Sequence, residues 1–182
     1  MTEIRISGFG GQGVIRLGYI IGKAASLFDG KSATMTQSFG PEARGSACSS
    51  QVVISEDKVL YPYVTIPHIL VTMSQEAYTK FSPQLVERGI LIMDEDLVTP
   101  EETRGSFKTY AIPSTRFAEE MGAKIVANIV MLGFFTAITG LITKEGARKA
   151  ISGSVPERFL ELNLKAFDKG YQFGQEILET CK

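Results

Sequence analysis

The fold of this chain is decided by the stretch Glu3-Ile-Arg-Ile-Ser-Gly-Phe-Gly-Gly-Gln-Gly13 together with the apolar residues that follow it. Ile4 and Ile6 alternate with polar residues, which is typical of a β-strand. From position 14 to position 27 the apolar residues recur at helical spacing. Because glycines crowd the six positions in between, the stretch predicts a strand, a glycine loop and a helix.

Such a loop forms a cradle for an anion. Glycines adopt backbone torsions that a Cβ forbids, and they let a ligand approach the main chain closely. The helix that follows presents unpaired N–H groups and the positive end of its dipole, so a phosphate or carboxylate can bind there without a basic side chain. The residues expected to bind a cofactor here are Gly8, Gly10, Gly11, Gln12 and Gly13.

The same loop satisfies the G-x-G-x-x-G pattern of dinucleotide-binding proteins, between a strand and a helix as that pattern requires. Such sites normally add an acidic residue about 20 positions later to hold the ribose. Here Asp29 precedes the predicted second strand, residues 33–37, and Glu42 lies well beyond it. Three interpretations stay open: a dinucleotide site, a structural tight turn, and a site for another phosphate or for a partner's surface.

The composition is that of a soluble globular protein. The 182 residues are 44% hydrophobic and 21% charged, and we expect one domain over residues 1–182. A net charge of −1 argues against nucleic acid as a partner, because phosphate backbones bind concentrated basic faces. The most apolar tract, residues 129–142, is shorter than the about 20 residues that span a bilayer, and no secretion signal precedes the first strand. We therefore expect a cytoplasmic protein without membrane contact.

No catalytic residue and no metal site is predicted. Cys48 and Cys181 are far apart, so no C-x-x-C motif offers ligands to zinc or to an iron–sulfur cluster, and no Walker motif is present. His68 is the single histidine and stands at the start of an apolar strand, where a structural role is more common than a catalytic one. For Asp94-Glu-Asp96 a solvated loop is favoured over a metal site, because no histidine lies nearby in the sequence.

A polar loop, Ser38-Phe-Gly-Pro-Glu-Ala-Arg-Gly45, follows the second strand. In an open α/β sheet the loops at the carboxyl ends of neighbouring strands face one crevice, so this loop is expected beside the glycine loop. The guanidinium of Arg44 suits a phosphate or carboxylate held between the two loops, and Glu42 could orient it. An ion pair of Arg44 with Glu42 that only orders the loop is the open alternative.

The rest of the chain alternates strands with amphipathic helices, which is typical of a wound α/β sheet. Residues 48–55 are predicted to pair antiparallel in the sheet, because a loop rather than a helix precedes them, and residues 59–61 to form a further short strand. Buried strands are predicted at residues 69–73 and 89–94, and a further strand at residues 107–112. The expected fold class is a three-layer, Rossmann-like α/β sheet, mostly parallel with an antiparallel portion.

Asn128 precedes the most apolar predicted helix. An asparagine there can cap the helix, or its amide can contribute to a ligand site. If the start of the helix points at the crevice, Asn128 completes a ring with the glycine loop and Arg44. The cap is the interpretation that the sequence favours.

Three motifs together resemble a known family. They are the glycine loop, the segment Thr36-Gln-Ser-Phe-Gly-Pro-Glu-Ala-Arg-Gly45, and Asn128 with Leu132-Gly133. At these separations they are similar to the gamma subunit of the 2-oxoacid:ferredoxin oxidoreductases over essentially the whole chain. Members of the family act on pyruvate, 2-oxoglutarate, branched-chain 2-oxoacids or indolepyruvate, and the loop around Arg44 looks closest to the 2-oxoglutarate type.

The resemblance implies a reaction and a set of partners. The complex would oxidatively decarboxylate a 2-oxoacid with coenzyme A, giving an acyl-CoA, carbon dioxide and two electrons for ferredoxin. Thiamine diphosphate is expected between the alpha and beta subunits, and iron–sulfur clusters on those subunits or on a small ferredoxin-like delta subunit. The chain lacks a Gly-Asp-Gly thiamine motif and cluster cysteines, so it is not expected to be active alone, although it can form homo-oligomers when expressed alone.

These observations lead to one hypothesis and two rivals. The crevice lined by the glycine loop, Arg44 and Asn128 would meet the phosphate end of coenzyme A or an acidic patch on a partner subunit. The first rival is a stand-alone Rossmann-type dinucleotide-binding oxidoreductase. The second is a purely structural assembly subunit, in which the crevice holds no ligand.

Overall fold

The computed structural model describes residues 1–38, 47–101 and 107–180 of the chain. Within these residues, six strands form one sheet and six helices pack against it. The strands are β1 (Thr2–Phe9), β2 (Ser32–Ser38), β3 (Ala47–Ser55), β4 (Ile69–Thr72), β5 (Ile90–Asp94) and β6 (Lys108–Ile112). The helices are α1 (Val14–Leu27), α2 (Gln75–Phe81), α3 (Ser114–Glu120), α4 (Ala127–Thr139), α5 (Lys144–Ser152) and α6 (Leu160–Thr180).

The sheet has the strand order β2-β3-β1-β4-β5-β6. β1, β4, β5 and β6 are parallel to one another, whereas β3 is antiparallel to both of its neighbours, β1 and β2. The prediction of a mostly parallel sheet with an antiparallel portion is therefore confirmed. Its cause is the length of the connection between β2 and β3, because residues 39–46 are fewer than the about 12 residues that a parallel crossover needs.

Helices cover both faces of the sheet and give the three layers that the sequence predicted. α1, α3, α4, α5 and α6 share one apolar core with the sheet, which contributes Ile4, Ile6 and Val52 among others. On the other face, α2 packs Tyr78 and Phe81 against the apolar residues of β4 and β5. The alternation in β1 arises because successive side chains of a strand point to opposite faces.

α4 is a buried helix, with ten of its thirteen residues buried. It packs closely on α6, and glycines make this approach possible. A Cβ on Gly133 would lie 2.7 Å from the backbone nitrogen of Tyr171, and a Cβ on Gly170 would lie 2.8 Å from the carbonyl carbon of Val130. Within the described parts of the chain, no helix combines the length and the hydropathy needed to cross a bilayer.

The prediction of a short strand at residues 59–61 is wrong. These residues have no regular structure and belong to an irregular connection between β3 and β4. Pro62 and Pro67 cannot donate to a ladder of hydrogen bonds. The backbone of this connection bonds instead to side chains of the sheet, as where the N–H of Val64 donates to Oε1 of Gln51 at 2.9 Å.

Candidate functional site

The glycine loop, residues 10–13, lies between β1 and α1. Gly11 and Gly13 have φ angles of 101° and 74°, in the left-handed region where a side chain is strained. Gly13 directly precedes α1; no side chain caps this helix, and no acidic residue lies in its first turn. N–H groups at an uncapped helix start are the ones that an anion can bind, so the loop has the geometry of an anion cradle.

Gln12 braces this loop against the sheet. Its Oε1 accepts a hydrogen bond from the N–H of Phe9 at 2.7 Å, and its Nε2 donates to the carbonyl oxygen of Met73 at 2.6 Å. A Cβ on Gly8 would collide with the Gln12 side chain and lie 3.1 Å from Cβ of Met73, so the brace requires a glycine there. Both ends of the Gln12 amide are engaged within the chain, and a contact of Gln12 with a ligand stays a prediction.

Asn128 joins the starts of two helices. Its Nδ2 donates to the carbonyl oxygen of Gly13 at 3.2 Å, and the residue is buried. The prediction that Asn128 caps the helix is wrong, because α4 begins one residue earlier and the residue at its N-cap is Val126. A single 3₁₀ turn leads directly into α4, so the chain is already helical when it reaches Asn128. The amide is thus free to hold the glycine loop, and the structure brings Gly13 and Asn128 together as the ring hypothesis required.

A half-open cavity of about 300 Å³ lies next to Asn128. Its lining is mostly apolar and includes Ile125 and Phe159, which are 79% and 44% exposed. Arg16, exposed in the first turn of α1, adds a guanidinium to the lining. The sequence analysis did not include Arg16 among the site residues. Its position in the helix turn that follows the glycine loop is the sequence feature that could have identified it. The cavity offers room for an uncharged part of a ligand beside the anion cradle.

Glu42 and Arg44 lie outside the described residues, and their roles stay predictions. The residues that flank this segment are described. Ala47 at the start of β3 is in register with Phe9 at the end of β1, and Ser38 at the end of β2 is in register with Ser49. The segment that carries Glu42 and Arg44 therefore leaves and rejoins the sheet at the edge where the glycine loop lies.

Asp94 at the end of β5 is buried and tied to the start of α3. Its Oδ2 accepts hydrogen bonds from the N–H and the Oγ1 of Thr115, at 2.9 and 2.8 Å, and from Oγ of Ser114. The solvated loop predicted here is therefore wrong for Asp94, whose carboxylate satisfies N–H and hydroxyl donors of α3. Glu95 and Asp96 are more exposed and form ion pairs with Arg116.

His68 has a structural contact at the opposite edge of the sheet. Its Nδ1 accepts a hydrogen bond from the backbone N–H of Glu3 at 3.0 Å, and the backbone N–H of His68 donates to the carbonyl oxygen of Glu3 at 2.8 Å. The imidazole thus joins the start of β1 to the start of β4. His68 therefore lies at the end of β1 opposite to the glycine loop, because the loop follows the last residue of β1.

Cys48 is a buried thiol in register with Gly8, and its titration allows a test of this burial. Burial raises the pKa of this thiol, so the folded state favours its neutral form. A raised pKa contributes stability that is present below the ordinary thiol pKa and is lost as the pH rises through the raised value. We expect the free energy of unfolding, measured with urea, to fall more between pH 7 and pH 10 for the wild-type chain than for Cys48→Ala. Equal falls would contradict the assignment.

The chain has extensive similarity to known proteins. The model of the family described as pyruvate ferredoxin/flavodoxin oxidoreductase matches residues 3–173. The chain is 51% identical, over 177 residues, to 2-oxoglutarate synthase subunit KorC of Methanocaldococcus jannaschii, covering 96% of this chain and 95% of the relative. It also resembles the solved gamma subunit of the keto/oxoacid ferredoxin oxidoreductase of Geobacter sulfurreducens PCA, with a TM-score of 0.86 and 45% identity over 97% of this chain and 99% of that one.

A much longer protein contains the same fold. It is the 2-oxoglutarate:ferredoxin oxidoreductase from Magnetococcus marinus, solved with 2-oxoglutarate, coenzyme A and succinyl-CoA bound. The TM-score is 0.87 at 26% identity, and the match covers 96% of this chain but only 31% of that one. More than half of that longer polypeptide therefore has no counterpart in this chain.

Proposed function

The chain belongs to the pyruvate ferredoxin/flavodoxin oxidoreductase family, as a gamma-type subunit of an oxidoreductase, and on this premise we propose that it works in a complex that acts on 2-oxoglutarate. Such a complex converts the 2-oxoacid and coenzyme A to an acyl-CoA and carbon dioxide, and passes two electrons to ferredoxin. The choice of 2-oxoglutarate is supported by 51% identity to a 2-oxoglutarate synthase subunit over nearly the whole chain.

We assign the reactive centres to partner subunits. An iron–sulfur cluster is normally held by four thiolates, whereas this chain has two cysteines, of which Cys48 is buried. In the part of the chain that the structure describes, no three His, Cys, Asp or Glu side chains converge to hold a metal. The residues do not suit a cluster, so clusters and thiamine diphosphate are assigned to alpha, beta and delta subunits. These subunits and ferredoxin are the proposed partners, in the cytoplasm.

The proposed contribution of this chain is a binding crevice for coenzyme A. The observation that carries it is the uncapped start of α1 at the glycine loop, where N–H groups and the helix dipole favour the phosphates of coenzyme A. The cavity beside Asn128 and Arg16 gives the uncharged parts of such a ligand a place next to the cradle. A relative of the same fold was solved with coenzyme A bound, which supports the same ligand class for this chain.

Arg44 is the side chain that we propose to pair with a phosphate of coenzyme A. It stands three residues before Ala47, and three residues of chain reach at most about 11 Å. Ala47 is in register with Phe9, which directly precedes the glycine loop. A guanidinium within that reach would complement the N–H groups of the loop, because its fork of donors matches phosphate oxygens.

The sheet order argues against the dinucleotide-binding rival. In a Rossmann site the ribose is held at the end of the strand that neighbours β1 and follows it in the chain. Here the antiparallel β3 lies between β1 and β2, so the end of β2 is two strands away from the glycine loop. The residue beside Gly8 is Cys48 rather than an acidic residue. An acidic group suited to a ribose hydroxyl is absent from this position.

An Arg44→Ala substitution tests the proposal in the reconstituted complex. We expect the KM for coenzyme A to rise about tenfold, because a charge-assisted hydrogen bond contributes about 1.5 kcal/mol or more. The KM for 2-oxoglutarate should stay unchanged. Arg148→Ala is the matched control, since it removes a guanidinium that is paired with Asp168 on another surface.

Two outcomes would contradict the coenzyme A crevice. An unchanged KM for coenzyme A together with normal assembly would remove the role of Arg44. Loss of partner subunits without a change in coenzyme A dependence would favour the assembly-subunit rival. Turnover of pyruvate or of a branched-chain 2-oxoacid in preference to 2-oxoglutarate would overturn the proposed substrate.

A further inference from the structure

The connection between β3 and β4, here called the 59–67 loop, is fastened to the sheet by three polar side chains. Nη2 of Arg5 donates to the carbonyl oxygen of Val64 at 3.1 Å, and the N–H of Val64 donates to Gln51. Oε2 of Glu3 accepts hydrogen bonds from the next two backbone N–H groups, at 2.9 and 3.2 Å. The backbone of the loop is therefore held at three consecutive residues.

Arg5 is itself buried, although it is a charged residue. Its guanidinium lies 4.7 Å from the centre of the Phe81 ring, and Nη1 donates to Oε1 of Gln84. Burial lowers the pKa of Arg5, which shows that desolvation of the cation has a cost. The hydrogen bonds of this buried cation to Val64 and Gln84 offset part of that cost, and the bond to Val64 ties the loop to the sheet.

Four large apolar side chains of the loop are exposed, whereas Val64 and Pro67 are buried. Leu60, Tyr61, Tyr63 and Ile66 are 85%, 61%, 56% and 55% exposed. Tyr61 and Tyr63 contact each other edge to face, with 5.6 Å between ring centres. Together the four side chains expose on the order of 500 Å² of largely apolar surface, which is the size of the largest apolar patch on a typical monomer, and such a patch often has a function.

We infer that the 59–67 loop is a preorganised docking surface for a partner subunit of the complex. A loop free to rearrange would bury such side chains against its own protein, and the polar anchors prevent this. Fixing the loop before association also reduces the entropy lost on binding. This inference rests on the proposal that the chain works in a multisubunit complex, and it does not depend on whether the crevice binds coenzyme A.

The position of the loop suits a partner that leaves the crevice open. The loop starts after β3 and ends before β4, and both of these ends lie beside the first residues of β1, since Ile54 is in register with Thr2 and Ile69 with Ile4. The glycine loop follows the last residue of β1. Because a strand of eight residues is about 25 Å long, the two surfaces lie about that far apart, at opposite ends of β1.

The size of the patch favours a larger partner over a second copy of this chain. Two such patches facing each other would bury on the order of 1,000 Å², whereas stable pairs bury about 1,600 Å². In the long Magnetococcus marinus relative, the matching region is part of a single chain whose remainder is more than twice as long as that region. A large partner for this fold is therefore part of the same polypeptide there. The partner surface should be an apolar depression with acceptors at its rim for the two tyrosine hydroxyl groups.

The test is co-expression of the affinity-tagged chain with the alpha and beta subunits. We expect Leu60→Asp combined with Tyr63→Asp to reduce the amount of co-purified partner at least tenfold. The matched control is Leu27→Asp combined with Tyr19→Asp, which places the same changes on the exposed face of α1, where these residues are 66% and 52% exposed. The control should retain its partners.

A melting curve of each isolated chain shows whether the variants fold. Leu60→Ser with Tyr63→Ser is a milder pair for use if the aspartates lower the melting temperature by more than a few degrees. Undiminished partner recovery by a folded loop variant would overturn the inference, and a loop variant that only converts a homodimer to a monomer would assign the patch to a second copy instead. A wild-type chain that retains no partner would overturn the proposed complex and this inference with it.

Discussion

Gly13→Ala is expected to raise the KM of the complex for coenzyme A by at least tenfold and to destabilise the chain by about 3 kcal/mol. Two effects add at this position. The φ angle of 74° is unfavourable for any residue with a Cβ. The new Cβ would also lie 2.7 Å from Cγ of Asn128, so the amide that holds the carbonyl of Gly13 must move.

Gly30→Ala is the control for the backbone effect. Gly30 has a φ angle of 67°, and nothing lies within 4 Å of a Cβ placed on it. It should therefore lose only about 1 kcal/mol and keep the coenzyme A kinetics of the wild type. Urea unfolding and initial rates at varied coenzyme A measure both quantities. Equal losses for the two variants would show that the contact of Gly13 with Asn128 has no consequence.

Gly170→Ala is expected to destabilise the chain by about 3 kcal/mol, through the packing of α4 on α6. The added Cβ would lie 2.8 Å from the carbonyl carbon of Val130 and 3.1 Å from the backbone nitrogen of Phe134. Both atoms belong to the backbone of a buried helix, so no rotation of a side chain can relieve the overlap. The helices must separate, and the apolar contacts between them are then lost.

The matched control is Gly22→Ala, in the middle of α1. The nearest atom to a Cβ on Gly22 is Cγ1 of Val52 at 3.8 Å, which is an ordinary contact. Because alanine favours a helix over glycine by about 1 kcal/mol, this variant should be more stable than the wild type. Opposite signs of the two changes in urea midpoint are the expected result. A stable Gly170→Ala chain would show that α4 and α6 can pack further apart than the structure has them.

Predictions from the sequence succeeded where the signal was local. The glycine loop and the helix at residues 14–27 follow from torsional freedom and from a 3.6-residue period, both of which are properties of neighbouring residues. The antiparallel pairing of β3 follows from the short link between β2 and β3, which has too few residues for a parallel crossover. The strand expected at residues 59–61 failed because the contacts that hold this segment come from Glu3, Arg5 and Gln51, which are distant in sequence.

The motifs indicated a class of function, but they did not show which residues come together in the site. The G-x-G-x-x-G pattern was compatible with a dinucleotide site, and only the order of the strands placed β3 where the ribose-holding strand would be. Likewise, Asn128 has a sequence context suited to a cap, and only the start of α4 at Ala127 turned its amide towards Gly13. Such outcomes depend on which elements pack together, and one-dimensional patterns do not encode that packing.

The sequence by itself determined most of the helices and strands, the mixed sheet, the glycine loop before α1 and the family resemblance, because each depends on residues close together in the chain or on motifs at fixed separations. The tertiary structure alone decided that Gln12 braces the glycine loop, that Asp94 is buried on α3, and that the 59–67 loop is anchored with Leu60, Tyr61, Tyr63 and Ile66 exposed. These features are hydrogen bonds and packing between residues far apart in the chain. Their free energy exists only after the sheet has brought those residues together.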